Sequence, residues 1–282
     1  MTINSKILFQ QLLSDFIVDH SREEKESILL WVLEHELGLN RAAVMSGKEL
    51  IIHEPSLRQI IDRLNTHEPV QYITGEAEFY GRKFTVGPGV LIPRTETELL
   101  IETVLHHVKD HEQIITLLDI GTGSGCIAIT LALELPQASL MATDISKEAL
   151  WVAASNAQLH KANIQFLTHD ILADELSWNL LDIVVSNPPY VRTSEKASMR
   201  RNVIDFEPFT ALFVPDSDPL LFHRAIAAKA KSSLKPGGLL MTEINEALGR
   251  ETAALFESLG YLEVTTIKDL HGKDRVVLGV KP

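Results

Sequence analysis

Ile114-Ile-Thr-Leu-Leu-Asp-Ile-Gly-Thr-Gly-Ser-Gly125 runs directly into Cys126-Ile-Ala-Ile-Thr-Leu-Ala-Leu133, and this junction decides the fold. The apolar run up to Ile120 predicts a buried strand, and the apolar run after Gly125 predicts a helix. Glycines between a strand and a helix let the backbone pass close to a ligand. The dinucleotide fingerprint would need glycine where Cys126 stands. The loop therefore predicts a nucleotide-like ligand, with a simple tight turn as the alternative.

Strands and helices alternate from this junction to the C-terminus. This pattern predicts an α/β fold with a doubly wound, mostly parallel, seven-stranded sheet. The predicted strands lie near 115–120, 139–144, 164–168, 181–186, 238–243, 261–266 and 275–280. The predicted helices lie near 126–134, 147–160, 219–234 and 247–258, after one that runs from Arg94-Thr-Glu-Thr-Glu98 to about Val108.

The strands that follow the glycine loop end in acidic residues. Asp144 comes one βα unit after the loop, where a carboxylate can bind both hydroxyls of a ribose. Asp170 and Ile171 follow the next strand, so Ile145 and Ile171 would flank an adenine ring with Asp170 near its amino group. A solvated loop acid is an equal alternative for Asp170. The glycines are followed by no Walker lysine, so a triphosphate is not expected.

A further buried strand, Leu181–Ser186, ends in Asn187-Pro-Pro-Tyr190. The prolines cannot continue a sheet ladder and hold Asn187 at the carboxyl edge of the sheet, where ligands bind in such folds. The Asn187 side-chain oxygen and the Pro188 carbonyl would both accept hydrogen bonds from one NH₂ group. Tyr190 would offer an aromatic face to a planar amide or base. From these four residues alone, a plain Pro-Pro turn is an equal alternative.

The residues before the α/β region have a different character. Residues 1–74 predict a small helical domain, with Ser21 in a capping-box pattern and Gly38 as a helix stop. Residues 75–93 predict a β-hairpin linker with short strands over 78–81 and 83–86. The remaining domain would span 94–282. The expected task of the helical domain is to hold a partner.

The composition limits the class of protein. The chain has 282 residues, a net charge of −12 and a single cysteine. Without a basic run, the acidic balance favours a protein or small-molecule substrate over direct nucleic-acid binding. No apolar run reaches the ~18 residues of a membrane span. The single cysteine excludes an intrachain disulfide and fits a reducing compartment, so we expect a cytoplasmic protein.

Some residues with reactive side chains have simpler interpretations. His107 and His111 have the spacing of metal ligands, but they lie on a polar stretch, so no metal site is expected. Cys126 begins a helix, where a thiol can be activated, yet a packed small residue is the better interpretation. The long segment Arg192–Phe213 has few clear elements and is a candidate lid.

In combination, these motifs resemble the release factor glutamine methyltransferase family, a class I S-adenosylmethionine-dependent family. The resemblance covers nearly the whole chain and is weakest over residues 1–65. Thr95 is a departure, because the family usually has proline there. The motifs that carry the resemblance are Pro69–Gly75, Phe79–Gly81, Leu91–Glu98, Asp119–Gly125, Ala142–Ser146, Asn187–Tyr190, Glu207-Pro208 with Ala211-Leu212, and Asp274-Arg275.

This resemblance implies methyl transfer from S-adenosyl-L-methionine to the glutamine amide nitrogen of the Gly-Gly-Gln loop in class I peptide-chain release factors, leaving S-adenosyl-L-homocysteine. It also implies that the N-terminal helices contact the release factor. The implied catalytic residues are Asn187, Pro188 and Tyr190. The implied substrate-binding residues are Asn187, Pro188, Pro189 and Tyr190. The implied cofactor-binding residues are Gly121, Thr122, Gly123, Ser124, Gly125, Asp144, Asp170, Ile171 and Asn187.

The expected reaction is an in-line displacement in which Asn187 and Pro188 orient the amide nitrogen. No strong base is required, since a methylated amide nitrogen becomes very acidic. Glu207 and Asp182 are alternative bases, although the sequence favours a structural role for both. A ribosomal-protein glutamine methyltransferase, a nucleic-acid amino-methyltransferase and an inactive cofactor-binding scaffold remain open alternatives.

Overall fold

The computed structural model describes residues 2–108 and 114–282, and these fall into two compact units. The smaller unit contains the N-terminal residues up to Glu76 together with the segment Arg200–Phe206. The larger unit contains Ala77–Met199 and Glu207–Pro282. The hairpin therefore belongs mostly to the larger unit, while part of the long segment after residue 192 groups with the smaller one. No helix within the described ranges has both the length and the apolar character to cross a membrane.

The smaller unit is mainly helical, as the sequence predicts. Its strands β1 and β2 pair antiparallel and were not predicted, because each is only three residues long. The elements are β1 (Thr2–Asn4), α1 (Ser5–Asp15), α2 (Arg22–Leu37), α3 (Arg41–Met45), β2 (Glu49–Ile51), α4 (Glu54–Asn65), α5 (Val70–Thr74) and, later in the chain, α9 (Arg201–Ile204).

The predicted helix boundaries in this unit are confirmed by their caps. The Ser21 hydroxyl accepts a hydrogen bond from the Glu24 N–H at 3.1 Å and begins α2. Gly38 ends α2 in a left-handed conformation, with φ of 65°. Asn40 caps α3 through the Ala43 N–H. The apolar faces of these helices share one core, which includes Phe9, Phe16, Leu29, Leu33, Leu57 and Ile61.

The larger unit alternates strands and helices. Short 3₁₀ helices span Thr95–Thr97 and Thr193–Ser198. The other elements are β3 (Glu76–Phe79), β4 (Arg82–Thr85), α6 (Glu98–Val108), β5 (Thr116–Ile120), α7 (Cys126–Glu134), β6 (Ser139–Asp144), α8 (Lys147–His160), β7 (Ile164–Thr168), β8 (Leu181–Ser186), β9 (Val191–Arg192), α10 (Phe209–Leu212), β10 (Phe213–Val214), α11 (Leu221–Ser233), β11 (Leu234–Glu243), α12 (Gly249–Ser258), β12 (Leu262–Lys268) and β13 (Asp274–Val280).

Within the described residues, seven strands form one sheet in the order β12-β13-β11-β8-β5-β6-β7. The pairs from β11 through β8, β5 and β6 to β7 are parallel, and β13 pairs antiparallel with both β11 and β12. The predicted doubly wound sheet is therefore confirmed. Because the parallel strands all point the same way, the ends of β5, β6, β7 and β8 meet at one edge.

Both faces of this sheet are covered. Leu117 and Ile183 face a core shared with α6 and α7, while their neighbours Leu118 and Val184 face a core shared with α11 and α12. Successive side chains of a strand point to opposite faces, so the central strands must be apolar throughout. That requirement is why their sequences show continuous apolar runs instead of alternation.

The hairpin strands lie earlier than predicted. The structure joins β3 and β4 at Tyr80-Gly81, whereas the predicted strands span 78–81 and 83–86. Tyr80 and Gly81 both have positive φ, at 49° and 67°, which is the conformation of the two-residue turns that match strand twist. Tyrosine rarely adopts this conformation, so the sequence did not reveal the turn position.

Candidate active site

A cavity of about 590 Å³ lies in the larger unit at the carboxyl edge of the sheet. Its size is typical of small-molecule sites, and its walls combine apolar side chains with a few polar groups. Aromatic side chains of the segment after Pro208 also line it, with Phe209 and Phe213 stacked at 4.7 Å. Of the predicted site residues, the cavity is lined by Gly121, Gly123, Asp144, Asp170, Ile171, Asn187, Pro188 and Pro189.

The glycine loop turns sharply between β5 and α7. Gly121, Gly123 and Gly125 have φ of 74°, 55° and 82°, a region that strongly favours glycine. The N–H groups of Gly121 and Thr122 both donate to the Thr143 carbonyl, at 2.8 and 2.9 Å. The loop is thereby fixed to the end of the neighbouring strand β6, with Gly121 and Gly123 facing the cavity.

The remaining loop residues point elsewhere. Thr122 and Ser124 are buried and do not line the cavity. A Cβ added to Gly125 would lie 2.9 Å from the Ile129 side chain and 3.1 Å from that of Ala153. Gly125 therefore permits the close contact of α7 with α8, which differs from contact with a ligand.

Asp144 is held at the end of β6 by backbone donors. Its Oδ2 accepts a hydrogen bond from the Gly123 N–H and its Oδ1 from the Ser146 N–H, each at 2.9 Å. Burial raises the pKa of Asp144, while these N–H donors oppose the rise by stabilising the carboxylate. The glycine loop and Asp144 thus form one hydrogen-bonded wall of the cavity.

Asp170 and Ile171 form a second wall beyond β7. Asp170 Oδ1 accepts a hydrogen bond from the Leu172 N–H at 2.9 Å, which stabilises the turn itself. Lys229 on α11 donates to the carbonyls of Ile171 and Asp174, at 2.8 and 2.7 Å. Sequence reasoning missed Lys229, because α11 is distant from this turn in the chain.

Asn187 lines the cavity at the end of β8, and its orientation is set by a neighbour. Its Nδ2 donates a hydrogen bond to the Thr97 hydroxyl at 3.0 Å. Thr97 is buried and donates in turn to Glu243 Oε2 at 2.6 Å. The Asn187 side-chain oxygen is therefore directed away from Thr97. Pro188 and Pro189 also line the cavity.

Tyr190 and Glu243 lie behind Asn187. The Tyr190 hydroxyl donates to Glu243 Oε1 at 2.8 Å, and Tyr190 does not line the cavity. Glu243 is only 1% exposed, and burial raises its pKa. Glu243 was not predicted as a site residue, although its position at the end of a strand is the signal that identified Asp144. Both acids end an apolar strand of the same sheet.

Asp119 is a further acid at this edge that sequence reasoning left without a role. It is fully buried at the end of β5, where its Oδ2 accepts the Thr122 hydroxyl at 2.7 Å. Its Oδ1 has no hydrogen-bond partner within the residues that the structure describes. Desolvation by burial raises the pKa of Asp119 to about 7.

The two alternative bases contact other groups. Asp182, at the start of β8, accepts hydrogen bonds from the Thr116 N–H and from Lys235, both at 2.8 Å. Glu207 is buried and forms an ion pair with Arg94 at 2.6 Å. Neither acid is part of the cavity lining. These contacts are those of structural acids.

The cysteine and histidine side chains singled out from the sequence have structural surroundings. Cys126 is buried, and desolvation raises the pKa of its thiol to about 12. His107 Nδ1 lies 2.8 Å from the Thr103 carbonyl, and His111 falls outside the described residues. Across the described ranges, no group of three or more His, Cys, Asp or Glu residues is placed to hold a metal ion.

Comparison with known proteins identifies the family. A family model described as "Methyltransferase small domain" matches residues 95–205, and one described as "PrmC N-terminal domain" matches residues 10–75. A release factor glutamine methyltransferase from Bacteroides thetaiotaomicron is 46% identical over 90% of this chain and 92% of its own length. The chain belongs to the release factor glutamine methyltransferase family. A second member, from Flavobacterium psychrophilum, is 41% identical over 97% of both chains.

Membership of the release factor glutamine methyltransferase family makes the chain a methyltransferase. A solved structure supports the fold independently: a methyltransferase from Pyrococcus furiosus aligns with a TM-score of 0.51 at 18% identity, over 80% of this chain and 98% of that one. The resemblance stated from the sequence motifs is therefore confirmed at the level of family and fold.

The cavity fits the cofactor that the family implies. A nucleoside with a charged tail needs polar acceptors for its ribose and apolar walls for its base. Asp144 contributes a carboxylate to the cavity lining, and Ile145 and Ile171 supply apolar surface. Gly121 has no atom within 4 Å of an added Cβ, so the space beside the loop is open for a ligand.

Proposed function

We propose that the chain transfers a methyl group from S-adenosyl-L-methionine to the side-chain amide nitrogen of glutamine in the Gly-Gly-Gln loop of class I peptide-chain release factors. The observation that carries this proposal is that Asn187, Gly123 and Asp144 line one cavity. An acceptor for an amide NH₂ thus lies in the same space as groups suited to a nucleoside. The names of the relatives supply the substrate.

Each wall of the cavity has a proposed task. Gly121 and Gly123 of the glycine loop hold the methionine moiety, Asp144 holds the ribose, and Ile171 with Asp170 binds the adenine. When bound, the cofactor supplies an electrophilic methyl group on a sulfonium. Asn187 orients the substrate amide by accepting a hydrogen bond from its NH₂ group, together with the Pro188 carbonyl.

Tyr190 keeps the proposed task that the motif suggested, which is to offer its aromatic face to the substrate. Its hydroxyl is engaged by Glu243, so any contact with the substrate would be made by its ring. The reaction needs no strong base before transfer, which agrees with the positions of Asp182 and Glu207 outside the cavity lining. The methylated amide loses its proton readily once the new bond has formed.

The N-terminal helices, within residues 1–74, are the proposed contact for the release factor. A match to the PrmC N-terminal domain over residues 10–75 supports a dedicated N-terminal module. The hairpin in residues 75–93 is the proposed linker to the catalytic domain over 94–282. We further propose a cytoplasmic location, which the single cysteine favours, and no direct binding of nucleic acid, which the net charge of −12 favours.

The decisive experiment mixes the protein with S-adenosyl-L-methionine and a purified class I release factor, then maps methylation by peptide mass spectrometry. We expect one added methyl on the Gly-Gly-Gln glutamine and its loss in Asn187→Ala. Asn163→Ala, which changes an exposed asparagine before β7, is the control and should retain activity. Methylation of a ribosomal protein or nucleic acid instead would contradict the substrate. No transfer to any of them would favour an inactive scaffold.

A further inference from the structure

Three side chains from distant parts of the chain converge behind Asn187. Thr97 comes from the 3₁₀ helix before α6, Tyr190 from the turn after β8, and Glu243 from the end of β11. The two hydroxyls bind separate oxygens of the Glu243 carboxylate, at 2.6 and 2.8 Å. Thr97 also accepts the Asn187 Nδ2 at 3.0 Å. The result is a continuous chain of hydrogen bonds from a buried acid to the cavity.

The direction of these hydrogen bonds follows from the chemistry of Glu243, the acid at which they end. Both hydroxyls donate to Glu243, so its two carboxylate oxygens are the acceptors at the end of the chain of hydrogen bonds. The Thr97 hydroxyl donates its only proton to Glu243, so it can only accept a hydrogen bond from Asn187. Asn187 must turn its NH₂ group towards Thr97, which leaves its oxygen for the other side.

We propose that Glu243 and Thr97 are positioning residues that determine which end of the Asn187 carboxamide faces the methyl acceptor. This inference deepens the proposed function and rests on it, since the acceptor is taken to carry an NH₂ group. The polarity of the hydrogen-bond chain, rather than the shape of the site, selects the productive orientation.

Shape cannot make this selection. The oxygen and nitrogen of a carboxamide are nearly the same size, so a flipped Asn187 would fit equally well. A flipped side chain would present its own NH₂ to the NH₂ of the substrate, and two donors repel. A fixed acceptor would then be lost at the point where the reacting nitrogen must be oriented.

Further hydrogen bonds hold the surroundings of Thr97 and Glu243 in place. Glu207 binds both the Arg94 side chain and the Ile92 N–H, at 2.6 and 3.2 Å, and so fixes the segment that precedes Thr97. The His223 ring nitrogen Nε2 lies 2.9 Å from the Glu243 carbonyl oxygen. A rigid chain of this kind has little freedom to rearrange when the acceptor arrives.

The first test measures single-turnover methylation of the release factor. Thr97→Val removes the hydroxyl without changing the shape, and Glu243→Gln introduces an NH₂ that can donate to Thr97 and reverse the chain. We expect both to slow transfer by about tenfold or more, since misorientation of a reacting group is costly. Affinity for S-adenosyl-L-homocysteine should change less than about threefold, because neither residue lines the cavity.

Matched variants separate positioning from general destabilisation. Thr97→Ser keeps the hydroxyl and should restore the rate to within about threefold of the parent protein. Thr252→Val makes the same substitution at a buried threonine on α12 whose hydroxyl binds the Leu248 carbonyl. It should leave the transfer rate unchanged. Equal rates for Thr97→Val and Thr97→Ser, or an unimpaired Glu243→Gln, would overturn the proposal.

A second readout does not depend on the identity of the substrate. The side-chain NH₂ signals of Asn187, assigned with Asn187→Ala, report its hydrogen bond by nuclear magnetic resonance. We expect slowed proton exchange in the parent protein and in Thr97→Ser, and fast exchange in Thr97→Val. Unchanged exchange in Thr97→Val would sink the proposal. Protected signals in a protein that leaves the release factor unmethylated would instead sink the proposed function alone.

Discussion

The Gly123 N–H donates a hydrogen bond to the Asp144 carboxylate, with 2.9 Å between the nitrogen and Oδ2. Gly123 follows β5 and Asp144 ends β6, and these strands are parallel neighbours. The contact therefore joins the ends of two strands and orders the glycine loop before any ligand arrives. The other carboxylate oxygen is bound by the Ser146 N–H.

Asp144→Asn should weaken binding of S-adenosyl-L-homocysteine by about 10–100-fold, since a hydrogen bond to a charged group is worth about 1.5–3 kcal/mol. The new NH₂ group would also oppose one of the two N–H donors. Isothermal titration calorimetry gives the affinity directly. Glu251→Gln removes the same charge from an exposed position on α12 and serves as the control. Equal affinity in Asp144→Asn and the parent would contradict the ribose assignment.

Lys229 should contribute to cofactor affinity without touching the cavity. Lys229→Met frees the Ile171 and Asp174 carbonyls and should loosen the turn that lines the cavity. We expect an affinity several-fold weaker, or about 1 kcal/mol, measured by the same calorimetry. Lys231→Met, on the same helix, removes a hydrogen bond to the Leu259 carbonyl instead. An equal loss in both variants would mean that the effect comes from α11 as a whole.

Gly125→Ala should destabilise the fold more than the same substitution at a glycine that has a positive φ but no close neighbours. Its Cβ would meet both Ile129 and Ala153, and overpacking costs about 1–3 kcal/mol. Gly272 has a similar φ of 77° but no atom within 4 Å of an added Cβ. Gly272→Ala therefore measures the backbone strain alone. Urea unfolding gives both free energies, and equal values would show that α7 and α8 shift to relieve the contact.

Asp119 should make the free energy of unfolding depend on pH. The pKa of Asp119 is about 7 in the folded protein, above the ordinary value of 3.8. Between these two pH values the Asp119 carboxyl group stays protonated in the folded protein but is ionised in the unfolded chain. Its contribution to stability is fully present below about pH 4 and is lost as the pH rises to about 7. Each tenfold change in proton affinity is worth about 1.4 kcal/mol.

Asp119→Asn removes this titration while keeping an oxygen for the Thr122 hydroxyl. Urea unfolding at about pH 5 and about pH 8 should show a smaller loss of stability in the variant than in the parent. Asp144 and Glu243 also have raised pKa values and are present in both proteins, so the difference reports Asp119 together with its repulsion by the Asp144 charge. Identical pH dependence would show that Asp119 is ionised in the folded state.

The Cys126 thiol should be inert in the folded protein. It is buried, and its pKa of about 12 leaves almost no thiolate near neutral pH. A chromogenic disulfide reagent at about pH 8 should therefore react only after denaturation in urea. Rapid reaction of the native protein would mean that the start of α7 opens readily.

The sequence alone determined the architecture and the main walls of the site. Continuous apolar runs ending in Asp144 and Asn187 place both at the carboxyl edge of a parallel sheet, because such strands are buried on both faces and share one direction. The helix limits at Ser21 and Gly38 followed from local hydrogen bonding, which needs no tertiary information.

Only the tertiary structure decided which polar groups meet. Thr97 and Glu243 are 146 positions apart, yet their contact sets the orientation of Asn187. Gly125 belongs to the glycine motif but serves the contact of α7 with α8. Hydrogen-bond partners and close contacts depend on how distant segments of the chain pack. The positions and burial of the strands, in contrast, follow from the local order of apolar residues.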